Sequence, residues 1–106
     1  MLNEKWTDKE KKIARRAFDA ALERELAATL AAFQKKAAGA HSFDDLWDIH
    51  DYLEKTQRAL DSKYDYRYSQ LVFVFAQLLR DRRITEAELA GLSEEKLGAI
   101  RLLLGR

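Results

Sequence analysis

Between Ile13 and Phe33, apolar side chains return every three to five positions: Ile13, Ala17, Leu22, Leu26, Leu30 and Phe33, with Ala14, Phe18, Ala21 and Ala28 widening the stripe. That period predicts an amphipathic α-helix. Thr7 followed by Glu10 has the spacing of a capping box, in which a hydroxyl and a carboxylate each satisfy an amide that the first turn leaves free. The pattern ends around Ala37–Gly39, where glycine is a natural stop. The predicted helix is about thirty residues, or about 45 Å at the usual rise. In so small a chain it cannot be covered by the rest of the molecule, and is expected to lie along a partner.

Ser42 opens a second helix, and Asp44 and Asp45 suit the positive end of its dipole. At about 100° per residue, Leu46, Ile49, Leu53, Leu60 and Tyr64 fall on one face, which reads as the core face, with Gln57 in the same sector and His50 at the border of the core. Asp44, Asp48 and Lys55 lie opposite. Trp47, Asp51, Glu54 and Arg58 occupy the flank between them. The pattern shifts near Lys63–Asp65, which predicts a break.

Leu71–Leu79 has the valines and phenylalanines of a buried strand, but nothing else in the chain resembles a strand to pair with it. A largely buried helix is the better reading. Thr85 with Glu88 repeats the capping-box spacing ahead of a short helical turn ending near Gly91. Ser93 then caps a last helix carrying Leu97, Ile100, Leu103 and Leu104. The fold class expected is all-α, with two long helices forming an extended stalk and dimer interface below a small C-terminal helical head. One domain, 1–106, is expected.

Composition supports this. Of 106 residues, 47% are hydrophobic and 35% charged, with no proline and four glycines, so little interrupts a helix. A domain of this size often completes its core by self-association. The net charge of +1 gives no global pull toward nucleic acid or an anionic membrane. Absent cysteine excludes thiolate chemistry and disulfides. Met1–Arg16 is too charged for a secretory signal, and no apolar run reaches membrane-spanning length, so a cytoplasmic protein without membrane insertion is expected.

Candidate chemistry is sparse. His50 and His41 are not at metal-binding spacing, and Asp44, Asp48 and Asp51 read as a solvated helix start. No phosphate loop or nucleophile elbow is present. Neither an enzyme, a metal site nor a cofactor is expected. Lys9, Lys11, Lys12, Arg15 and Arg16 form one basic cluster, and Arg80, Arg82 and Arg83 another. Interspersed Asp8, Glu10 and Asp81 argue for solvated faces over a nucleic-acid surface. Tyr64, Tyr66 and Tyr68 are expected to pack at the helix junction. Trp47 remains open: it packs on the long helix or a dimer mate, or it anchors a partner, since tryptophan and arginine dominate binding hot spots.

Three blocks in register, Phe43–Leu53 (FDDLWDIHDYL), Asp61–Arg67 (DSKYDYR) and Val72–Leu79 (VFVFAQLL), resemble the fluorescence recovery protein family, and the similarity runs from about Ala17 onward. The resemblance implies a helical dimer that binds the light-activated red form of the orange carotenoid protein, mainly through that protein's C-terminal domain. It implies faster return to the orange form, detachment from the phycobilisome and an end to photoprotective quenching, without enzymatic chemistry.

The resemblance also implies partner-binding roles for Trp47, His50 and Asp51 on the second helix and Phe73 in the head. Glu54 and Arg58 join them as neighbours on the same flank. Two positions depart from the family: its functional arginine falls on Gln57, with Arg58 adjacent, and a basic residue of the last helix falls on Ala99, with Arg101 nearby. A one-residue offset turns a side chain by about 100°, so Arg58 is no automatic replacement. Relatives occur in bacteria without phycobilisomes, and loss of the arginine points toward that group. The alternative function is a dimeric interaction module with a different partner.

Overall fold

The computed structural model describes residues 5–105. Positions 1–4, read above as part of an N-terminus unsuited to export, lie outside the described residues, as does the last position of the expected 1–106 unit. The chain runs α1 (Asp8–Ala38), α2 (Phe43–Lys63), α3 (Leu71–Arg80), a 3₁₀ turn (Glu86–Leu89) and α4 (Glu94–Leu103). It measures 53 × 26 × 22 Å, an elongated body set by the 31-residue α1.

The caps form where the spacing places them. Thr7 N donates to Glu10 Oε1 at 3.0 Å, and Glu10 N donates to Thr7 Oγ1 at 3.1 Å. Ser42 Oγ accepts from Asp45 N at 3.1 Å, and Ser93 Oγ from Lys96 N at 3.2 Å. Thr85 N donates to Glu88 Oε1 at 3.0 Å, opening a 3₁₀ turn in place of an α-helical one. Helix α2 ends at Lys63, at the predicted break. Leu71–Arg80 is helical and buries Leu71, Val72, Val74, Phe75, Ala76 and Leu78, so its β-branched and aromatic content reflects burial on several sides.

Only the N-terminal half of α1 belongs to the head. Its small Ala14, Ala17 and Ala21 are buried with Phe18, which lets α3 and the 3₁₀ turn approach closely. Phe75, Leu78, Leu89, Ile100 and Trp6 complete this core. The rest of α1 runs on as a stalk beside α2.

Here the pattern-based reading needs correction. The face of α2 assigned to a core has no buried residue: Leu46 is 53% exposed and Leu53 38%, and on α1 Leu26 and Leu30 are 50% and 55% exposed. His50, placed at the border of that core, is also exposed. Two antiparallel helices cover only one side of each other, so a single chain cannot bury an apolar stripe that both present outward.

Head and stalk are tied by charge. Lys63 Nζ lies 2.6 Å from Glu25 Oε1 on α1 and 2.6 Å from Asp81 Oδ2 at the end of α3. Tyr64 donates its hydroxyl proton toward Glu25 Oε1, at 3.0 Å, with Ala21 O also 3.1 Å away, and Arg83 Nη2 reaches Glu25 Oε2 at 3.3 Å. Burial alone would push the Glu25 carboxyl up, but Lys63, Tyr64 and Arg83 together hold it below the ordinary carboxylate range. Burial likewise disfavours the Lys63 ammonium, and Asp81 and Glu25 overcome it, raising its pKa. Burial and the neighbouring Glu25 carboxylate keep the Tyr64 phenol protonated far above its usual range.

Candidate functional site

Trp47, His50, Asp51, Glu54 and Arg58 follow one another at helical spacing along α2, on a flank facing solvent. Trp47 is 63% exposed, so within one chain it packs on neither the core nor α1's apolar stripe. Its indole meets the His50 ring edge-on, with centroids 6.1 Å apart and planes at 85°. His50 Nδ1 lies 3.5 Å from Asp51 Oδ1 and its Nε2 3.9 Å from Glu54 Oε2, contacts that become ion pairs when the ring is protonated. Arg58 Nη2 donates to Glu54 Oε1 at 2.8 Å. The result is a row of an indole, an imidazole, two carboxylates and a guanidinium, braced by i,i+3 and i,i+4 contacts.

Phe73 stands apart on α3. It is 52% exposed, the outward exception on a helix whose neighbouring side chains are buried. It borders a shallow depression with Ala59, Ser62, Lys63, Gln70, Val74 and Gln77. That depression spans α2 and α3, and its Ala59, Ser62 and Lys63 lie just C-terminal to Arg58 on α2. From Trp47 to Ala59 the helix climbs about 18 Å. The six residues therefore form an elongated track from stalk to head, not one cleft.

Gln57 faces elsewhere. It lines an open groove of about 470 Å³ between α1 and α2, with Leu22, Leu26, Thr29, Leu53, Leu60 and Asp61. The turn between Gln57 and Arg58 thus separates two surfaces, and Arg58 does not occupy Gln57's place. Ala99 is half-buried against the core of the head, while Arg101 Nε pairs with Glu86 Oε1 at 3.2 Å.

The remaining candidates sort out differently from one another. Among the described residues, no group of three or more histidine, aspartate or glutamate side chains converges, so Asp44, Asp48 and Asp51 do not gather round a common point. The Arg80–Arg83 cluster is not a free basic face: Arg80 Nη2 donates to Leu103 O at 2.9 Å and Arg83 pairs with Glu25. Tyr64 and Tyr66 pack edge-on against Phe18, at 5.4 and 4.9 Å between centroids, as junction residues. No described helix is long and apolar enough to cross a membrane.

Sequence reasoning missed the buried charges. Glu10 Oε2 accepts from Ser93 N at 2.9 Å and lies 3.2 Å from Lys96 Nζ. The capping box announced Glu10 only as a local partner of Thr7, and nothing in the spacing pointed to Lys96.

The described residues define an all-α protein with a helical-hairpin stalk and a small helical head. Residues 6–104 match the model of the photoprotection regulator fluorescence recovery protein family. The fluorescence recovery protein of Synechocystis sp. (strain ATCC 27184 / PCC 6803 / Kazusa) is 39% identical over 98 residues, covering 92% of this chain and 90% of that protein. Solved structures of the fluorescence recovery proteins of Fremyella diplosiphon and Synechocystis sp. PCC 6803 each match with a TM-score of 0.90 and 37% identity, over 96% of this chain and 100% of theirs. The chain belongs to the fluorescence recovery protein family, whose members are photoprotection regulators.

Proposed function

We propose that this protein is a non-enzymatic, cytoplasmic, homodimeric regulator that binds the photoactivated orange carotenoid protein and accelerates its red-to-orange reversion, ending photoprotective quenching. The observation that carries the reading is the exposed track Trp47, His50, Asp51, Glu54 and Arg58 leading to Phe73, on a chain that belongs to a family of photoprotection regulators. An indole surrounded by charges and left 63% exposed is a ready anchor for a partner surface. The apolar stripe of Leu26, Leu30, Leu46 and Leu53 supports a second copy along the stalk, because a contiguous exposed stripe of leucines marks an association surface.

Acceleration without bond chemistry needs differential affinity. The regulator binds the compact-going state of its partner better than the open red state, and binds best the barrier between them. The test mixes the protein with light-activated orange carotenoid protein and follows the decay of red absorbance in the dark. Faster decay at sub-stoichiometric protein is expected. Trp47→Ala should lose that effect while light scattering still reports a dimer. Unchanged decay with the unaltered dimer overturns the reading.

A second reading is favoured by one observation. Gln57, where the family carries arginine, lines the stalk groove without a charge. That change fits an interaction module whose partner is not the carotenoid protein, and it predicts a correctly folded dimer without effect on the reversion.

A further inference from the structure

Near its N-terminal end, α1 carries two pairs of cations one turn apart: Lys11 and Lys12, then Arg15 and Arg16. With Tyr66 and Tyr68 from the α2–α3 connection they line an open groove of about 500 Å³. We propose that this groove binds an acidic segment of a partner protein. The inference does not rest on the function proposed above.

Three observations carry it. Like charges at i,i+4, here Lys11 with Arg15 and Lys12 with Arg16, destabilise a helix, and among the described residues only Arg15 has a carboxylate in reach, Asp19 at 3.3 Å. Lys11, Lys12 and Arg16 have none. The surface thus carries three cations without a carboxylate partner among the described residues, in a chain whose net charge is only +1. Second, the floor is rigid. Rings run from the core outward, Phe18 to Tyr66 at 4.9 Å, Tyr66 to Tyr68 at 5.7 Å, and Tyr68 to Trp6 at 5.8 Å. Phe18 and Trp6 are buried, so both ends of the row are anchored. Third, the cations are placed by that floor. The Arg15 guanidinium lies 3.6 Å from the Tyr66 centroid, and Lys11 Nζ 5.4 Å from that of Tyr68. Stacked on the ring, the Arg15 guanidinium spends Nη1 on Asp19 at 3.3 Å and keeps its remaining N–H groups for an incoming carboxylate, and it has already lost the side-chain freedom that binding would otherwise remove.

The same geometry disfavours nucleic acid. Single-stranded nucleic acid is held by bases stacking on aromatic faces, and here Arg15 and Lys11 already lie over those of Tyr66 and Tyr68. The cations also cover only two helical turns, flanked by Asp8 and Asp19, too short a track for a phosphate backbone.

The test titrates a fluorescently labelled polyglutamate peptide with the full chain, read by anisotropy at low and moderate salt. Binding that weakens with salt is expected. Lys12→Ala with Arg16→Ala should weaken it by about tenfold, whereas Lys35→Ala with Lys55→Ala, which removes the same charge elsewhere, should leave it unchanged. Arg15→Lys, which keeps the charge and loses the fork, should weaken it several-fold. Thermal melts of all variants verify folding. No peptide binding at low salt overturns the proposal, and so does equal loss in the two charge-matched pairs. Preferential competition by a short oligothymidylate would also overturn it and make the surface a nucleic-acid site.

Discussion

Glu10 in the first helix and Lys96 in the last, 86 positions apart, form a buried ion pair at 3.2 Å, with side chains only 7% and 3% exposed. Every part of the pair is answered. The carboxylate also accepts from Thr7 N and Ser93 N, and the ammonium also donates to Lys5 O at 3.2 Å and sits 4.9 Å from the Trp6 ring centroid. It joins the N-termini of α1 and α4, where both helix dipoles favour the carboxylate.

Removing one partner strands the other's charge in the head. Lys96→Met should therefore lower stability by about 3 kcal/mol, read from the midpoint and slope of urea unfolding. Retained stability would mean that water reaches Glu10 freely.

Acid should act through the same group. Burial pushes the Glu10 carboxyl up, but the amides of Thr7 and Ser93 and the Lys96 ammonium outweigh it, so its pKa is lowered on folding. Glu25, Asp81 and Glu88 are lowered as well. A carboxyl with a depressed folded pKa contributes stability above its unfolded value, and loses it as pH falls through the folded one. The melting temperature should hold down to about pH 5 and fall below about pH 4.5, near the ordinary glutamate value. Glu10→Gln should be less stable at neutral pH and show a shallower acid slope.

Lys63 couples the head to the stalk, since it pairs with both Glu25 of the stalk and Asp81 of the head. Lys63→Met should loosen the head on the stalk without unfolding either. Amide exchange at the C-terminal end of α2 should quicken by about tenfold or more, while α4 stays protected. Uniform loss of protection would instead make Lys63 part of the global core.

The open stalk stripe makes a prediction about assembly. Leu53→Glu places a charge among Leu22, Leu26 and Leu60 in the groove. Light scattering should report a monomer, with the melting temperature no longer dependent on protein concentration. A persisting dimer would show that the stripe is not the interface.

Gly91 holds the turn into α4 at φ +105, and an added Cβ would meet Ile13 Cδ1 at 2.6 Å. Gly91→Ala combines backbone strain with that clash, and should lower stability by about 2–3 kcal/mol in denaturant unfolding. Gly98→Ala, in an α-helix with open space around it, should be neutral or stabilising.

Caps, helix lengths, the break at Lys63 and the helical nature of Leu71–Arg80 were legible in the sequence, because each depends on side chains within a few positions of one another. Trp47, Asp51, Glu54 and Arg58 were also legible as a flank beside the apolar stripe, since helix geometry alone separates them from Leu46 and Leu53, but whether Trp47 is covered was not. Which half of an apolar stripe is covered was not. Ala14 and Phe18 repeat with the same period as Leu26 and Leu30, yet the first pair is buried and the second is half-open. The difference lies in where α3, the 3₁₀ turn and α4 fold back, and that is a long-range choice. The same holds for Glu10 with Lys96 and for Lys63 between Glu25 and Asp81, whose partners are brought together only by packing. Period and spacing are local quantities that the sequence by itself determined. Burial and charge pairing are properties of neighbours in space, and only the tertiary structure decided them.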